Sequence, residues 1–330
     1  MQSRVYRLVF CLCTLAAGPT LAAEKLILQL KWVPQSQFAG YYAAQDRGFY
    51  AGEGLDVEIK AGGPKIDPAN IAAAGRADVI VDWMPAALEA REHGVPLVNI
   101  AQPFKRSASA LACRRDSGIM VPDDLRGNTV ALALNGDEVP FLAWMANLGI
   151  PVDGGSEGVT MIEKGAYDAA ELLSKAAGCV HVMMYNENWL LLEAGFGHRV
   201  TVFGFEGEGV ATLEDGLYVI EGRLQDPLFV DRMVRFVRAS MRGWAWSLEN
   251  VDAAVGVIME QAPKGATTID HQRHMLEIVG NLLATESWRL DPADYDRTVS
   301  ILLKSSSNPI ITKKPDHAWT HRITDAVDSR

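Results

Sequence analysis

Cysteine is scarce in this chain, and two of the four cysteines, Cys11 and Cys13, fall in an apolar N-terminal stretch. The other two, Cys113 and Cys179, each lie in an apolar run, where buried free thiols are common. An oxidising compartment would equally permit a disulfide between them, so both states stay open. Neither these cysteines nor the seven scattered histidines have the spacing of metal ligands, which excludes a zinc-finger protein.

Basic residues are outnumbered, with 31 Lys and Arg against 41 Asp and Glu and a formal net charge of −10. Nucleic-acid-binding proteins normally carry a basic surface, so we expect no nucleic-acid partner. The sequence also lacks a Walker loop and a nucleophile elbow, and no pair of carboxylates has a spacing that demands acid–base catalysis. We therefore expect a protein that is not an enzyme and that holds no cofactor or metal.

Long apolar runs are missing beyond the N-terminus, where residues 1–23 have the organisation of a secretory signal peptide. Arg4 and Arg7 precede a short apolar core at 8–17, and two alanines end the segment. That core is too short to span a membrane, and no later stretch holds 18 apolar residues without a charge. The pattern predicts export to the periplasm as a soluble protein of roughly 300 residues, enough for two domains.

Strand-like and helix-like segments alternate until about residue 226, and helical periodicity dominates from there onward. Such alternation is typical of an α/β protein with parallel sheets covered by helices. The predicted strands are 26–31, 55–60, 78–82, 97–102, 108–114, 129–134, 159–163, 180–184, 200–204 and 216–221. The predicted helices include 85–93, 140–148, 167–176, 227–248, 251–261, 268–284 and 292–303.

The most informative segment is 29–57, where a strand leads into a loop with Trp32, Pro34 and two glutamines. In open α/β sheets the ligand crevice lies beyond the carboxyl ends of the strands. The segment resembles the opening of the NMT1/THI5-like family of solute-binding proteins. The resemblance spans roughly residues 25–250 and includes, in order, the segments 75–79, 82–85, 125–130 and 185–187.

The resemblance implies a type II periplasmic-binding-protein fold, in which a ligand cleft lies between two lobes that close about a hinge. Each lobe is then a mainly parallel sheet flanked by helices. We expect lobe 1 to comprise 24–107 and 222–330, and lobe 2 to comprise 108–221, with crossing strands at 108–115 and 216–221. The resemblance also implies an ABC permease in the inner membrane as partner, and we expect a monomer.

Candidate ligand contacts in the first lobe begin with Trp32, whose ring is suited to stacking on an aromatic ligand. Gln35 and Gln37 offer amide donors and acceptors, although a solvated loop explains them equally well. Three aromatic residues follow, Phe38, Tyr41 and Tyr42, and at least one of them must pack in the core. Tyr41 or Tyr42 would wall the cleft, and Tyr41 is the candidate contact. The glycines of Gly62-Gly63-Pro64 permit either a close backbone approach to a ligand or a simple turn.

Asp82 and Trp83 follow a buried-looking apolar run, where a carboxylate needs a partner. Asp82 would accept hydrogen bonds from an amino heterocycle or cap the following helix. Asn135 and Glu138 occupy a glycine loop before another helix, together with Asp137. These carboxylates would repel an anion and favour a neutral or amine-bearing ligand, although capping explains them equally well.

The second lobe should contribute Tyr185, Asn186 and Glu187, which follow the apolar run 180–184. The resemblance implies ligand contacts here, and a Glu carboxylate accepts hydrogen bonds from an amino group on a pyrimidine. Trp189 would either supply a further stacking ring or lie in the interior. Glu206, Glu208 and Asp215 are expected in a solvated loop. His271 and His274 are expected on a solvated helix face.

These aromatic and acidic loops favour a small aromatic nitrogen heterocycle, and the resemblance implies a thiamine-pyrimidine precursor first of all. Similar residues would bind a flavin, whereas a sulfonate or nitrate would be bound by hydrogen-bond donors and cationic side chains. Two other classes stay open. One is the pyrimidine synthase of the same family, whose cysteine-rich iron-binding motif is absent here. The other is a sensor receptor that docks on a membrane kinase.

Overall fold

The computed structural model describes residues 23–133, 138–164, 168–284, 286–304 and 309–329. All ten predicted strands form, with small shifts at their ends. They are β1 (Glu24–Gln29), β2 (Leu55–Lys60), β3 (Val79–Asp82), β4 (Leu97–Ala101), β5 (Ser109–Arg114), β6 (Thr129–Leu132), β7 (Thr160–Glu163), β8 (Cys179–Met183), β9 (Val200–Gly204) and β10 (Gly216–Ile220).

The seven predicted helices form with shifts at their ends, the C-terminal third is helical as expected, and further short helices lie before, between and after them. The helices are α1 (Ala39–Asp46), α2 (Phe49–Gly52), α3 (Pro68–Ala73), α4 (Met84–Glu92), α5 (Val139–Leu148), α6 (Ala169–Lys175), α7 (Glu187–Glu193), α8 (Pro227–Glu249), α9 (Val251–Gln261), α10 (Ile269–Gly280), α11 (Pro292–Lys304) and α12 (Arg322–Asp328). Among the described residues, no helix is both long and apolar enough to cross a bilayer.

Two five-stranded sheets define the two lobes. Lobe 1 contains the sheet ordered β2-β1-β3-β10-β4, and lobe 2 contains the sheet ordered β7-β6-β8-β5-β9. In each sheet one strand, β10 or β5, runs antiparallel to its neighbours, and the other described pairings are parallel. The prediction of two mainly parallel sheets flanked by helices is therefore confirmed.

The chain passes between the sheets at places that differ in part from the predicted crossings. The strand β5 belongs to the sheet of lobe 2, whereas β10 pairs with β3 and β4 inside the sheet of lobe 1. The return to lobe 1 is therefore complete before Gly216, because β10 is already part of that lobe's sheet. Helix α11 also packs against α5 of lobe 2, and Tyr295 and Val299 of α11 share an apolar cluster with Phe141 and Trp144 of α5, although the sequence grouped α11 with lobe 1.

A disulfide joins Cys113 and Cys179, which settles the question that the sequence left open. The two residues lie directly opposite each other on the antiparallel strands β5 and β8, with their Cα atoms 4.0 Å apart. Both are fully buried in the core of lobe 2. The bond therefore links two neighbouring strands of that sheet whose cysteines are 66 residues apart in the chain.

The core of lobe 1 depends on a close crossing of helices α1 and α8. A Cβ atom on Gly243 would overlap the carbonyl oxygen of Gly40, so only glycine permits the helices to approach this closely. Tyr41 packs edge-on against Trp244 at this crossing, with 6.0 Å between the ring centroids. Helix α1 is thereby fixed behind the loop that carries Trp32 and the glutamines.

Candidate functional site

A cavity of about 400 Å³ lies between the two lobes. Both lobes face it with the carboxyl ends of three neighbouring parallel strands, which is where ligand crevices form in α/β sheets. Lobe 1 contributes Lys31, Trp32, Gln35, Gln37, Gly63, Pro64, Ile66 and Trp83. Lobe 2 contributes Ala133, Lys164, Asp168, Ala169, His181, Met183, Tyr185, Asn186, Glu187 and Leu190.

The loops after β1 and β2 are held together at the rim of lobe 1. The Gly62 N–H donates to the Trp32 carbonyl at 2.9 Å. A Cβ atom on Gly62 would overlap the backbone of Leu30 and Lys31, so glycine is needed for this contact. The glycine pair predicted to allow a close approach therefore brings two protein loops together, and Gly63 and Pro64 beside it line the cavity.

A buried polar network forms the floor of lobe 1. The Nε2 amide of Gln35 donates to Gln37 Oε1 at 2.5 Å, and Gln37 Nε2 donates to Asp215 Oδ2 at 2.7 Å. The other carboxylate oxygen of Asp215 accepts the indole N–H of Trp83 at 2.9 Å. Burial raises the pKa of Asp215 to about 6, although the donors from Gln37 and the charge of Lys31 favour its ionised form.

A second acidic group of lobe 1, Asp82, is paired with Lys31. The Lys31 Nζ atom lies 3.2 Å from Asp82 Oδ1 and 5.2 Å from the centre of the Trp83 ring. Burial raises the pKa of Asp82 against the opposing effect of Lys31. Asp82 faces an adjoining groove of about 590 Å³, which shares Lys31, Pro64 and Ile66 with the cavity.

An ion pair forms the polar part of the lobe 2 wall. Lys164 Nζ lies 2.7 Å from Glu187 Oε1 and donates to the His181 carbonyl at 3.1 Å. Glu187 Oε2 accepts the Met183 N–H at 3.0 Å. Burial disfavours the Glu187 carboxylate, but the charge and hydrogen bond of Lys164 outweigh it and hold its pKa below the ordinary value.

His181 lies behind this ion pair as a neutral side chain. Burial, reinforced by the charge of Lys164, lowers its pKa to about 4. Its Nε2 atom forms a hydrogen bond of 2.7 Å with Ser109 Oγ. His181 therefore does not add a second positive charge to the lobe 2 wall at neutral pH.

Six of the predicted site residues line the cavity: Trp32, Gln37, Trp83, Tyr185, Asn186 and Glu187. The structure places the other predicted residues elsewhere. Tyr41 is fully buried in the core of lobe 1, and Asp82 faces the adjoining groove. Glu138 precedes α5 outside the cavity lining, and Asn135 lies outside the described residues.

Sequence reasoning missed both lysines of the site, because isolated lysines beside strands give no pattern that separates a paired cation from a solvated one. Lys164 follows β7 directly and Lys31 comes two residues after β1, but this position at the carboxyl end of a strand does not by itself distinguish a cavity lysine from a solvated one. The expectation of a solvated Asp215 was wrong, since its side chain is 1% exposed. It lies beside Trp83 because β10 runs antiparallel to β3 with Gly216 opposite Asp82.

The two lobes also touch beside the cavity. Trp189 of lobe 2 stacks on His274 of α10, with 4.2 Å between the ring centroids. His271, one turn earlier on α10, is 6% exposed, so the expected solvated helix face was wrong. Both histidines face lobe 2, which the sequence does not reveal because the contact joins distant parts of the chain.

Two such sheets with a cavity between their carboxyl edges define the periplasmic-binding-protein fold. The periplasmic aliphatic sulphonate binding protein SsuA from Escherichia coli superposes with a TM-score of 0.66. It is 13% identical in sequence, and the match covers 89% of this chain and 90% of that one. The model of the NMT1/THI5-like family matches residues 35–254, more than half of the chain. The chain belongs to this family.

Two curated relatives are binding proteins. The formylaminopyrimidine-binding protein of Halalkalibacterium halodurans is 26% identical over 246 residues, which are 74% of this chain and 73% of that protein. The riboflavin-binding protein RibY of Chloroflexus aurantiacus is 27% identical over 275 residues, covering 79% of this chain and 73% of that protein.

The ion pair in the lobe 2 wall predicts a structural effect of Glu187→Gln. We expect the free energy of unfolding of the ligand-free protein to fall by about 1–3 kcal/mol, because Lys164 is left inside the wall without its anionic partner. Chemical denaturation measures the change, with Glu193→Gln at the exposed end of α7 as the matched control. The double variant Lys164→Met with Glu187→Gln should regain part of the loss. Unchanged stability of Glu187→Gln would contradict a structural ion pair.

Glu214 connects the two passages of the chain between the lobes. Its Oε1 atom accepts the Ser107 hydroxyl at 2.5 Å and the N–H groups of Ala108 and Ser109 at 3.1 and 3.3 Å. Burial, with a further contribution from Asp215, raises its pKa from 4.5 to about 8. The side chain is therefore mostly protonated in the folded protein at pH 7 and ionised in the unfolded chain.

This raised pKa predicts that the ligand-free protein loses stability between pH 6.5 and 8. The folded state holds a proton on Glu214 that the unfolded chain has already released, so rising pH favours unfolding by about 1.5 kcal/mol across this window. His181 acts with the opposite sign, because the unfolded chain loses the last of that proton above pH 6.5, but this offsets only about 0.4 kcal/mol within the window. Thermal unfolding across the window tests this, and the isosteric Glu214→Gln should flatten the slope. If stability fell equally steeply with pH in the wild-type protein and in Glu214→Gln, the raised pKa of Glu214 would be contradicted.

Proposed function

We propose that this protein is the extracytoplasmic substrate-binding protein of an ABC importer and captures a small aromatic nitrogen heterocycle, most of all a thiamine-pyrimidine precursor. The observation that carries the proposal is the cavity between the lobes, which combines aromatic side chains with hydrogen-bonding groups from both sides. Trp32 and Trp83 line it from lobe 1, and Tyr185 lines it from lobe 2. Similarity to a formylaminopyrimidine-binding protein supports this ligand class.

The charge balance of the cavity favours a neutral ligand over a small anion. Lys31 is paired with Asp82, and Lys164 is paired with Glu187, so each cation of the lining is offset within its own lobe. A sulfonate or nitrate would have to compete with these carboxylates for the ammonium groups. The similarity to a sulphonate-binding protein is at 13% identity and concerns the fold alone.

A flavin is the second candidate, and the adjoining groove favours it. The groove shares Lys31, Pro64 and Ile66 with the cavity, which gives a ligand room to extend beyond a single pyrimidine ring. The similarity to a riboflavin-binding protein over 275 residues supports the same candidate. A flavin and an aminopyrimidine both present a flat face for stacking and N–H groups for hydrogen bonding.

The remaining parts of the proposal concern location and partners. The signal-like segment 1–23 supports export to the periplasm, where a permease of the inner membrane would receive the loaded protein. We propose a monomeric receptor rather than an enzyme, because the named relatives are binding proteins. A sensor receptor would use the same cavity, and genes for a permease and an ATPase beside this one would favour transport.

Calorimetry with the mature protein tests the ligand class. We expect an aminopyrimidine or a flavin to bind with a dissociation constant of micromolar or lower, about −8 kcal/mol or stronger, because the rings of the cavity add stacking to hydrogen bonding. Taurine and nitrate serve as the comparison ligands and should bind at least about a hundredfold more weakly. Binding to the small anions alone would refute the proposed ligand class.

The cavity lining from both lobes predicts closure on the ligand. A ligand that touches both lobes binds the closed state more tightly, and this difference shifts the population toward it. Small-angle X-ray scattering should therefore show a smaller radius of gyration at saturating ligand than in its absence. Trp189→Ala removes the stack on His274 and should enlarge the ligand-free protein further. An unchanged radius, with binding confirmed in the same sample, would indicate a fixed pocket.

A further inference from the structure

One buried carboxylate orients the amides of the lobe 1 wall. An ionised carboxylate can only accept hydrogen bonds, and Asp215 receives the N–H groups of Trp83 and Gln37. The amide of Gln37 must therefore turn its nitrogen toward Asp215 and its carbonyl oxygen away. Gln37 is 4% exposed and Asp215 is 1% exposed, so water does not offer an alternative set of partners.

The orientation of the Gln37 amide in turn fixes the orientation of the Gln35 amide, which also lines the cavity. Gln37 Oε1 is an acceptor, so Gln35 must present its Nε2 amide to it, and the two atoms lie 2.5 Å apart. One of the two N–H groups of the Gln35 amide is thereby used within the protein. Its carbonyl oxygen is the acceptor that this side chain offers to a ligand, and Gln35 lines the cavity.

We propose that Asp215 determines ligand specificity as a positioning residue. Through Gln37 and Gln35 it makes this part of the lobe 1 wall a hydrogen-bond acceptor, which selects a ligand with an N–H donor there over one with a carbonyl or anionic oxygen. This inference rests on the proposed function and narrows it to heterocycles that present an exocyclic amino group to lobe 1. Asp215 itself does not line the cavity.

The substitution Asp215→Asn should change this part of the wall from a hydrogen-bond acceptor to a donor. The Asn amide has the shape of the carboxylate, but an NH2 donor replaces one of its oxygens. Asn Oδ1 would keep the hydrogen bond from Trp83 Nε1, and its Nδ2 would then face Gln37 as a donor. Gln37 would have to turn its carbonyl oxygen toward the new donor and its nitrogen toward Gln35. Gln35 would in turn present its amide N–H groups to the cavity.

A matched pair of ligands measures this reversal, namely 4-amino-2-methylpyrimidine and its 4-oxo counterpart. The wild-type protein should prefer the amine, and Asp215→Asn should shift the ratio of the two dissociation constants toward the oxo compound by about tenfold or more. Glu214→Gln is the matched control, because it replaces a neighbouring buried carboxyl group that lies outside both the relay and the cavity lining, and it should change both affinities alike. Equal losses for both ligands in Asp215→Asn would overturn the proposal.

A second measurement needs no ligand and separates this inference from the proposed function. In the wild-type protein one N–H of the Gln35 amide and one N–H of the Gln37 amide donate within the protein, so NMR should show slow hydrogen exchange for that N–H in each residue. Asp215→Asn should leave the Gln37 amide protected and make exchange of the Gln35 amide fast. Fast exchange at Gln35 in the wild-type protein would overturn the relay, whatever the ligand proves to be.

The variant Gln37→Met provides an independent test should Asp215→Asn fail to fold. Methionine fills a similar volume but removes the acceptor that orients Gln35. The preference for the amine over the oxo compound should then shrink toward equality, since Gln35 can turn either end to the cavity. A wild-type preference retained in folded Gln37→Met would overturn the relay. Failure of wild-type protein to bind either pyrimidine would instead refute the ligand class of the proposed function.

Discussion

A buried charge needs a partner, and this requirement organises the whole cleft. Lys31 is offset by Asp82 in lobe 1, and Lys164 is offset by Glu187 in lobe 2. Asp215 receives two N–H donors from its own lobe. Each wall is therefore satisfied before the lobes meet. The lobes can approach or separate without leaving these charges unpaired, which an ion pair across the cleft would not permit.

The fold was predictable because its elements carry strong local patterns. Each strand is a short apolar run bounded by turn residues, and α8 and α11 carry clear amphipathic periodicity. The place where the chain returns to lobe 1 was not predictable in this way. An apolar run such as Gly216–Ile220 has the same pattern whichever sheet it joins, so only tertiary pairing decides. The disulfide was undetermined for the same reason, since it depends on the register of β5 and β8.

The candidate site was predictable where residue type and position agreed. Trp32, Tyr185 and Glu187 come within four residues of the carboxyl end of β1 or β8 and have side chains suited to a flat polar ligand, and all three line the cavity. Tyr41 has the right chemistry, but helix α1 turns it toward Trp244 in the core. Asp215 was misjudged because an acidic residue in a glycine-rich loop is usually solvated. Its burial follows from the pairing of β10 with β3, a contact between segments more than a hundred residues apart.

Pairing within each lobe also bears on how the protein can discriminate among ligands. The ammonium groups of Lys31 and Lys164 already contact carboxylates, so a ligand that relied on them would displace an existing ion pair. Neutral hydrogen-bonding groups face no such competition, and their direction matters because an unmatched donor or acceptor in a closed cleft costs about 1–3 kcal/mol. Selectivity would then depend on which end of each amide points inward. In lobe 1 that choice is made by a carboxylate one layer behind the surface that a ligand would touch.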